Sequence, residues 1–303
     1  MRTVLAKEFE GCIYKFLVDD TYIASFEPVR DYESSIIKIL CRLGKYMDIF
    51  VDVGACVGKY CIYLAKFYKK VYAIEPNPVN LEYLKTNIEL NNLTNVEVLN
   101  YGVLDSETEM FVTLEGTYSK VVPKAGVNTV KVKVSRLDKL VPQADVIKID
   151  TEGNEFKIVL GASELIIRNR PIFVIEHDEF WFHKPLKDFK EIVKFMLNLK
   201  YLPFNINQVH WIYIPVEKFD SIPFDIASEI VGKHFFYEVI LNNLKNNLPW
   251  YYGFPESWWH GMSILEFVNF VAKYIFEIRE SKKIWKEEWK RVYDESVFKY
   301  IQQ

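Results

Sequence analysis

Four separated segments hold the residue types that chemistry needs. The first is VDVGACVGKY (residues 51–60), with Asp52 two positions before Gly54 and a second glycine at Gly58. The second is AIEPNP, where Glu75 closes the apolar run Lys70 to Ile74. The third is DVIKIDTEGNEF, carrying Lys148, Asp150 and Glu152, and behind it the fourth, PIFVIEH, ends in Glu176 and His177. A strand, a glycine turn and a helix in succession let a ligand approach bare backbone and aim helix amides at it. An acid about 20 residues further on, at the end of the next strand, suits the two hydroxyls of a ribose.

The spacing chooses among nucleotide ligands. A dinucleotide site wants Gly-x-Gly-x-x-Gly. Here Cys56 stands where that pattern needs a glycine, and Asp52 lies under the loop. An acid in that place repels a pyrophosphate and suits a ligand with an amino group and a sulfonium. The ligand this favours is S-adenosyl-L-methionine.

The elements that must position these residues alternate. Cys12 to Val18 and Thr21 to Phe26, split by Asp19-Asp20, read as a β-hairpin, and Pro28 to Leu43 has helical periodicity up to Gly44. Strand 49–53, helix 59–68, strand 70–74, helix 78–91 and strand 96–99 follow, the second helix opening at Asn77-Pro78. Such alternation predicts a parallel sheet covered by helices. Met110 to Leu114 and Val130 to Ser135 alternate with period two and predict an inserted antiparallel pair. Strand 146–149, a helix over 154–168 broken near Gly161, strand 172–175, helix 187–199 and strands near 201–205 and 211–215 complete the expectation. The organisation expected is therefore residues 1–45 as hairpin and helix, 46–216 as the ligand-binding α/β domain, and 217–303 as a helical, aromatic-rich extension with helices at 224–245, 263–279 and 281–300.

Bulk properties narrow the class. Half of the 303 residues are hydrophobic and 16% are aromatic, which excludes disorder and permits a sizeable core. A net charge of −3 supplies no general basic field for nucleic acid or an anionic membrane. Cys12, Cys41, Cys56 and Cys61 form no paired or zinc-like pattern, and no stretch nears the roughly 18 apolar residues of a membrane span. The charged first ten residues lack a signal region, so a soluble cytoplasmic protein is expected.

Residues 27–177 resemble the FkbM family of S-adenosylmethionine-dependent methyltransferases. The resemblance rests on Glu27-Pro28, VDVGACVGKY, AIEPNPVNLEYLKTNIELNN, Arg136-Leu137-Asp138, IKIDTEGNEFKIVLGA and RPIFVIEH. It implies a class I methyltransferase sheet of order 3-2-1-4-5-7-6 and transfer to oxygen, often on sugars. It implies that Asp52, Gly54 and Gly58, with Ala55 and Cys56 between them, hold the methionine moiety and that Glu75 holds the ribose. Pro76 and Asn77 would flank the adenine, with Asn100 to Gly102 at its edge. Cys56 departs from the family's usual Asn.

Methyl transfer is a direct displacement, helped by a base within reach of a hydroxyl acceptor. His177 titrates in the right range, and Glu152 or Asp150 would serve if raised by burial, with Glu176 at the same edge. The plainer readings are that Asp150 contacts the cofactor amino group, Lys148 pairs with a carboxylate and His177 caps the next segment. Asp150, Glu176 and His177 have metal-ligand atom types without diagnostic spacing, so no metal is assigned. The aromatic stretch at 249–260, with Trp285 and Trp289 beyond it, serves sugar or base stacking, helical packing or an oligomer interface. The leading expectation is an O-methyltransferase acting on a carbohydrate or glycolipid hydroxyl. Methylation of RNA or another small molecule, and a non-catalytic assembly protein that keeps the fold, are the alternatives.

Overall fold

Five short apolar runs, each too short to pack as a helix, build the centre of the first of two compact units, Met1–Asp178 and Glu179–Gln303. The computed structural model describes residues 2–20, 22, 33–177, 187–206, 209–219, 221–227, 229–230 and 232–234. The runs are β3 (Ile49–Val53), β4 (Lys70–Ile74), β5 (Val96–Leu99), β10 (Val146–Ile149) and β11 (Ile172–Glu176). They lie side by side as β5-β4-β3-β10-β11, all parallel. Consecutive residues such as Phe50 and Val51, Val146 and Ile147, and Phe173 and Val174 are all buried, as a sheet covered on both faces requires.

The helices of this unit are α1 (Ser34–Leu43), α2 (Lys59–Leu64), α3 (Pro78–Leu90), α4 (Leu137–Leu140), α5 (Glu155–Leu160) and α6 (Ser163–Asn169). The start of α3 follows its sequence: the Asn77 side chain accepts from the Val79 amide at 2.8 Å, and Pro78 takes the position where a missing N–H costs nothing. Helix α2 stops before the expected residue 68. There the Asn95 side chain donates to the carbonyls of Ala65 (2.7 Å) and Tyr68 (2.8 Å), satisfying groups that a longer helix would have to cap. The break expected near Gly161 separates α5 from α6.

The insert is a sheet of its own. Strands β6 (Gly102–Leu104), β7 (Thr108–Thr113), β8 (Val121–Val122) and β9 (Thr129–Arg136) lie in the order β6-β9-β7-β8. The expected antiparallel pair is β7 with β9, and their inward residues close with Leu104 into a small core of Val112, Val132 and Val134. Asp138 accepts from Arg136 and from the Glu164 amide, so the Arg136-Leu137-Asp138 run ties the end of β9 to α6.

The N-terminal hairpin uses different strands from those expected. β1 (Thr3–Phe9) pairs with β2 (Cys12–Val18) across Glu10-Gly11, in place of a turn at Asp19-Asp20. Glu10 and Gly11 both have positive φ (48° and 73°), the handedness that matches the twist of paired strands. The Asp19 carbonyl instead accepts from the Tyr22 amide in a local turn. The rest of the expected second strand and the helix start at Pro28 lie outside the described residues. Asn87, fully buried on α3, holds this hairpin in place: its side chain accepts from the Leu17 amide and donates to the carbonyls of Leu17 (3.3 Å) and Val57 (2.9 Å).

In the second unit α7 (Lys187–Asn198) precedes an antiparallel pair, β12 (Tyr201–Asn205) and β13 (His210–Pro215), and a short α8 (Val216–Phe219). Phe189 meets Trp211 edge-on at 4.9 Å, and the Asn205 amide donates to His234 Nδ1 at 3.1 Å. Burial lowers the His234 imidazole to about 4, so it packs as a neutral ring. The expected helices at 263–279 and 281–300, and the aromatic stretch 249–260, lie outside the described residues; of 224–245 only part is described. Among the described residues no helix is long and apolar enough to cross a membrane, and the four cysteines are free thiols.

Asn87→Ala leaves two buried carbonyls and one amide without their partner. It should lower the free energy of unfolding by about 1–3 kcal/mol, read as a shifted urea midpoint with an unchanged slope.

Candidate active site

Strand register assembles the site. Ile149 pairs with Ile175 on one side and with Val53 on the other, Val53 with Ile74, and Ile74 with Leu99. The next residue on each strand therefore falls in one row along the carboxyl edge: Glu176, Asp150, Gly54, Glu75 and Asn100. Beside that row opens a cleft walled by the glycine turn, the end of β4, the insert and the turn after β10.

The glycine turn lets two strand ends close on each other. Gly54 has φ +83°, and a Cβ there would sit 1.9 Å from the Asp150 carbonyl oxygen. The amides of this turn point into the protein, in contrast to the expectation of amides aimed at a ligand. Those of Gly54 and Ala55 donate to the Ile74 carbonyl, that of Gly58 to Ala55, and that of Cys61 to Asp52 Oδ2 at 3.2 Å. The Cys56 amide donates to Glu75 Oε2 at 2.9 Å. With these donors spent, the turn offers no cradle for a phosphate.

Glu75 is 4% exposed and lines the cleft. Besides Cys56 it accepts from the Asn77 amide (2.8 Å) and the Asn80 side chain (3.3 Å), both at Oε1. Burial pushes its carboxyl up to about 7 against those three hydrogen bonds. Oε1 spends both of its lone pairs on Asn77 and Asn80, and Oε2 keeps one beyond the Cys56 amide for a ligand hydroxyl.

The second charged group lies on β10 and its neighbours. Lys148 is opposite Asp52 on the adjacent strand and two residues from Asp150, so all three share one face of the sheet. Its ammonium stands 2.8 Å from Asp150 Oδ2, 3.7 Å from Asp52 Oδ1 and 4.5 Å from the Tyr60 ring centre. Burial alone would lower the ammonium, but Asp150 and Asp52 outweigh it and hold it above its usual value. Burial raises the Asp52 carboxyl despite Lys148, and Asp52 Oδ1 accepts no hydrogen bond. Lys59, paired with Glu33, is lowered by burial to about 8.

Of the residues expected from sequence, Gly54, Cys56, Glu75, Pro76, Gly102, Asp150 and Glu152 line the cleft together. Asp52 and Ala55 are buried beneath the turn, Gly58 begins α2 with φ 100°, and Asn77 serves as the cap of α3. Asn100 stands in the row but is exposed, and its neighbour Tyr101 lines the cleft. Half-buried Glu176 and buried His177 end β11 outside the lining. Among the described residues no group of three acidic, His or Cys side chains is placed to hold a metal ion. Sequence reasoning missed Asn80, Thr117, Ser119, Lys120, Val121, Thr151 and Asn154, all in the lining. Asn80 did leave a signal: with Leu84 and Asn87 it follows the spacing of a helix's buried face, where a polar residue needs a partner.

A parallel sheet whose first loop is a glycine turn and whose second strand ends in a cleft-lining acid is a Rossmann-like α/β arrangement of the kind that suits a nucleoside. The comparisons make this specific. The model of the methyltransferase FkbM domain matches residues 52–203, and the chain belongs to that family. Hexuronic acid methyltransferase AglP of Haloferax volcanii is 27% identical over 179 residues, covering 55% of this chain and 71% of AglP. A crystal structure of the FkbM methyltransferase from Methylobacillus flagellatus aligns at 18% identity with a TM-score of 0.43, over 55% of this chain and 43% of that one. TYW2 of M. jannaschii in complex with AdoMet aligns at 17% identity with a TM-score of 0.39, over 70% of this chain and 85% of that one.

The residues present fit S-adenosylmethionine, the cofactor that the resemblance to the FkbM family implies. Glu75, buried at the edge of the cleft, keeps a lone pair on Oε2 for a ribose hydroxyl, and Gly54, Cys56 and Pro76 line the cleft beside it. Lys148→Met would leave Asp52 and Asp150 facing each other without their shared cation. It should cost about 3–5 kcal/mol of unfolding free energy in urea titrations, and Asp150→Asn in the same chain should recover part of the loss.

Proposed function

We propose that the chain is an S-adenosylmethionine-dependent O-methyltransferase acting on a carbohydrate hydroxyl. The observation that carries the reading is that Glu75 and Glu152 line the same cleft, one suited to the donor's ribose and the other to an acceptor. The name of AglP, a methyltransferase of hexuronic acid, supports a sugar acceptor. When bound, the cofactor supplies a methyl group on positively charged sulfur. The chain's own residues do the rest. Glu75 accepts a ribose hydroxyl at Oε2, and Gly54 and Cys56 bring backbone against the methionine end. We assign the acceptor hydroxyl to Glu152, which lines the cleft, takes the hydroxyl's hydrogen bond and then its proton.

Isothermal titration of the folded protein with S-adenosylmethionine should show one site per chain, and no binding would sink the reading. Methyl glucuronoside and methyl glucoside serve as acceptor probes. Methylation of an amine or of RNA, with none on any sugar probe, would overturn the acceptor class.

The pH dependence separates Glu75's two roles. Its folded value of about 7 exceeds its ordinary 4.5, so folding takes up a proton between those values. This group's contribution to stability is fully present below that window and is lost as pH rises through 7. Ribose binding needs the carboxylate and runs the other way. Cofactor affinity should therefore rise from about pH 6 to about pH 8, while Glu75→Gln flattens that rise and weakens binding by about 10-fold or more. The stability of Glu75→Gln relative to wild type, by thermal melts without cofactor, should improve over the same range.

A further inference from the structure

Between the end of β10 and the start of α5 the chain has Asp150 to Asn154 in which to turn. It does so through two successive left-handed residues, Glu152 (φ 62°) and Gly153 (φ 114°). A Cβ on Gly153 would meet nothing within 4 Å, so the glycine is there for its backbone angle and not for space. Glu152 has no such freedom. A residue with a Cβ pays about 1–2 kcal/mol in that conformation, and its surroundings must hold it there.

One holding group is a side chain absent from the cleft lining. Glu155 Oε1 accepts from the Thr151 amide (3.0 Å), the Thr151 hydroxyl (3.0 Å) and the Gly153 amide (3.1 Å), so it bonds to both residues flanking Glu152. An acid in the first turn of a helix is commonly exposed and gains from the helix dipole. Glu155 is only 9% exposed, and burial pushes its carboxyl up to about 7 against these hydrogen bonds, a cost that a surface glutamate avoids. Two other contacts hold the ends of the turn: the Asp150 carbonyl against Gly54, and the Asn154 side chain donating to the Val121 carbonyl at 3.2 Å. Neither touches the left-handed pair.

We propose that Glu155 is a positioning residue for methyl transfer: its carboxylate templates the Thr151–Gly153 turn and so keeps Glu152 at the cleft. The proposal rests on the assignment of Glu152 to the acceptor. It requires Glu155 to act on the turn whether or not a cofactor is bound.

The test uses the full chain with site-resolved amide hydrogen exchange at Thr151 and Gly153. Glu155→Ala should speed exchange there by about 10-fold or more. Glu155→Gln keeps an acceptor oxygen and should stay within about threefold of wild type. Ile158→Val, a core change in the same helix, controls for lost stability and should leave both amides as in wild type. Affinity for S-adenosylhomocysteine should change by less than about threefold in Glu155→Ala, because Gly54 and Glu75 are untouched. With methyl glucuronoside as acceptor, Glu155→Ala should lower kcat about as far as Glu152→Gln does, and the double variant should fall no further. Unchanged exchange in Glu155→Ala, equal exchange gains in Ile158→Val, or additive losses in kcat would each overturn the proposal. If Glu155→Ala does not fold, Glu155→Asp decides, since its shorter arm should speed exchange at the same two amides and unchanged exchange overturns the idea. Wild type that fails to bind S-adenosylhomocysteine sinks the methyltransferase reading alone, because the exchange result still judges Glu155.

Discussion

A buried carboxylate accepting backbone amides from two directions joins the pieces of this site. Glu75 takes the Cys56 amide from the glycine turn and the Asn77 amide from the start of α3, and the Asn80 side chain closes the third side. These bonds fix the turn relative to the next strand, which is the relation a nucleoside must find already made. They also set what residue 56 must do. To present its amide to Glu75, Cys56 adopts φ 49°, a left-handed angle that Asn tolerates well and Cys does not. The family's usual Asn thus suits the backbone at this position, and the departure to Cys keeps the amide contact at some conformational cost.

The same edge of the sheet concentrates charge by geometry. Parallel strands in register bring equivalent positions side by side, so Lys148 faces Asp52 across one strand gap and Asp150 along its own strand. Burial raises both the cost of each charge and the strength of each attraction. The outcome here is asymmetric: the ammonium is held in its charged form while Asp52 is pushed toward protonation. A cation brought above this face would favour the ionised form of Asp52.

What was legible in the sequence was whatever depends on neighbours along the chain. The two periodicities placed the central strands and marked β7 with β9, and Asn77-Pro78 announced α3. The acids at strand ends followed from the alternation, because parallel strands share a carboxyl edge. Long-range hydrogen bonds were not legible. Nothing near residue 64 says that the side chain of Asn95 will satisfy the carbonyls past α2, and nothing near Leu17 points to Asn87. The hairpin was misplaced because Asp19-Asp20 has the composition of a turn, whereas Glu10-Gly11 has the backbone angles of one. The direction of the loop amides was hidden for a related reason. A glycine turn permits a phosphate cradle, but where the donors point depends on acceptors such as the Ile74 carbonyl on the adjacent strand.

The insert shows how much of the cleft lies outside the recognisable motifs. Thr117, Ser119, Lys120 and Val121 form one wall of the cleft. That wall is stitched to the core by three asparagines: Asn77 donates to the Ser119 hydroxyl at 2.8 Å, Asn80 to the Gly116 carbonyl at 3.2 Å, and Asn154 to the Val121 carbonyl at 3.2 Å. Two of the three belong to the start of α3, beside Glu75, and the third to the turn that bears Glu152. An amide side chain has donors and an acceptor to divide, so Asn77 caps its helix and holds the wall at once, and Asn80 braces Glu75 and the wall together. Displacing the insert would therefore disturb Glu75 and the turn that bears Glu152, two of the three carboxylates that line the cleft. The sheet of the insert is local in sequence, but its contribution to the site runs through residues that the core already uses to hold its own acids.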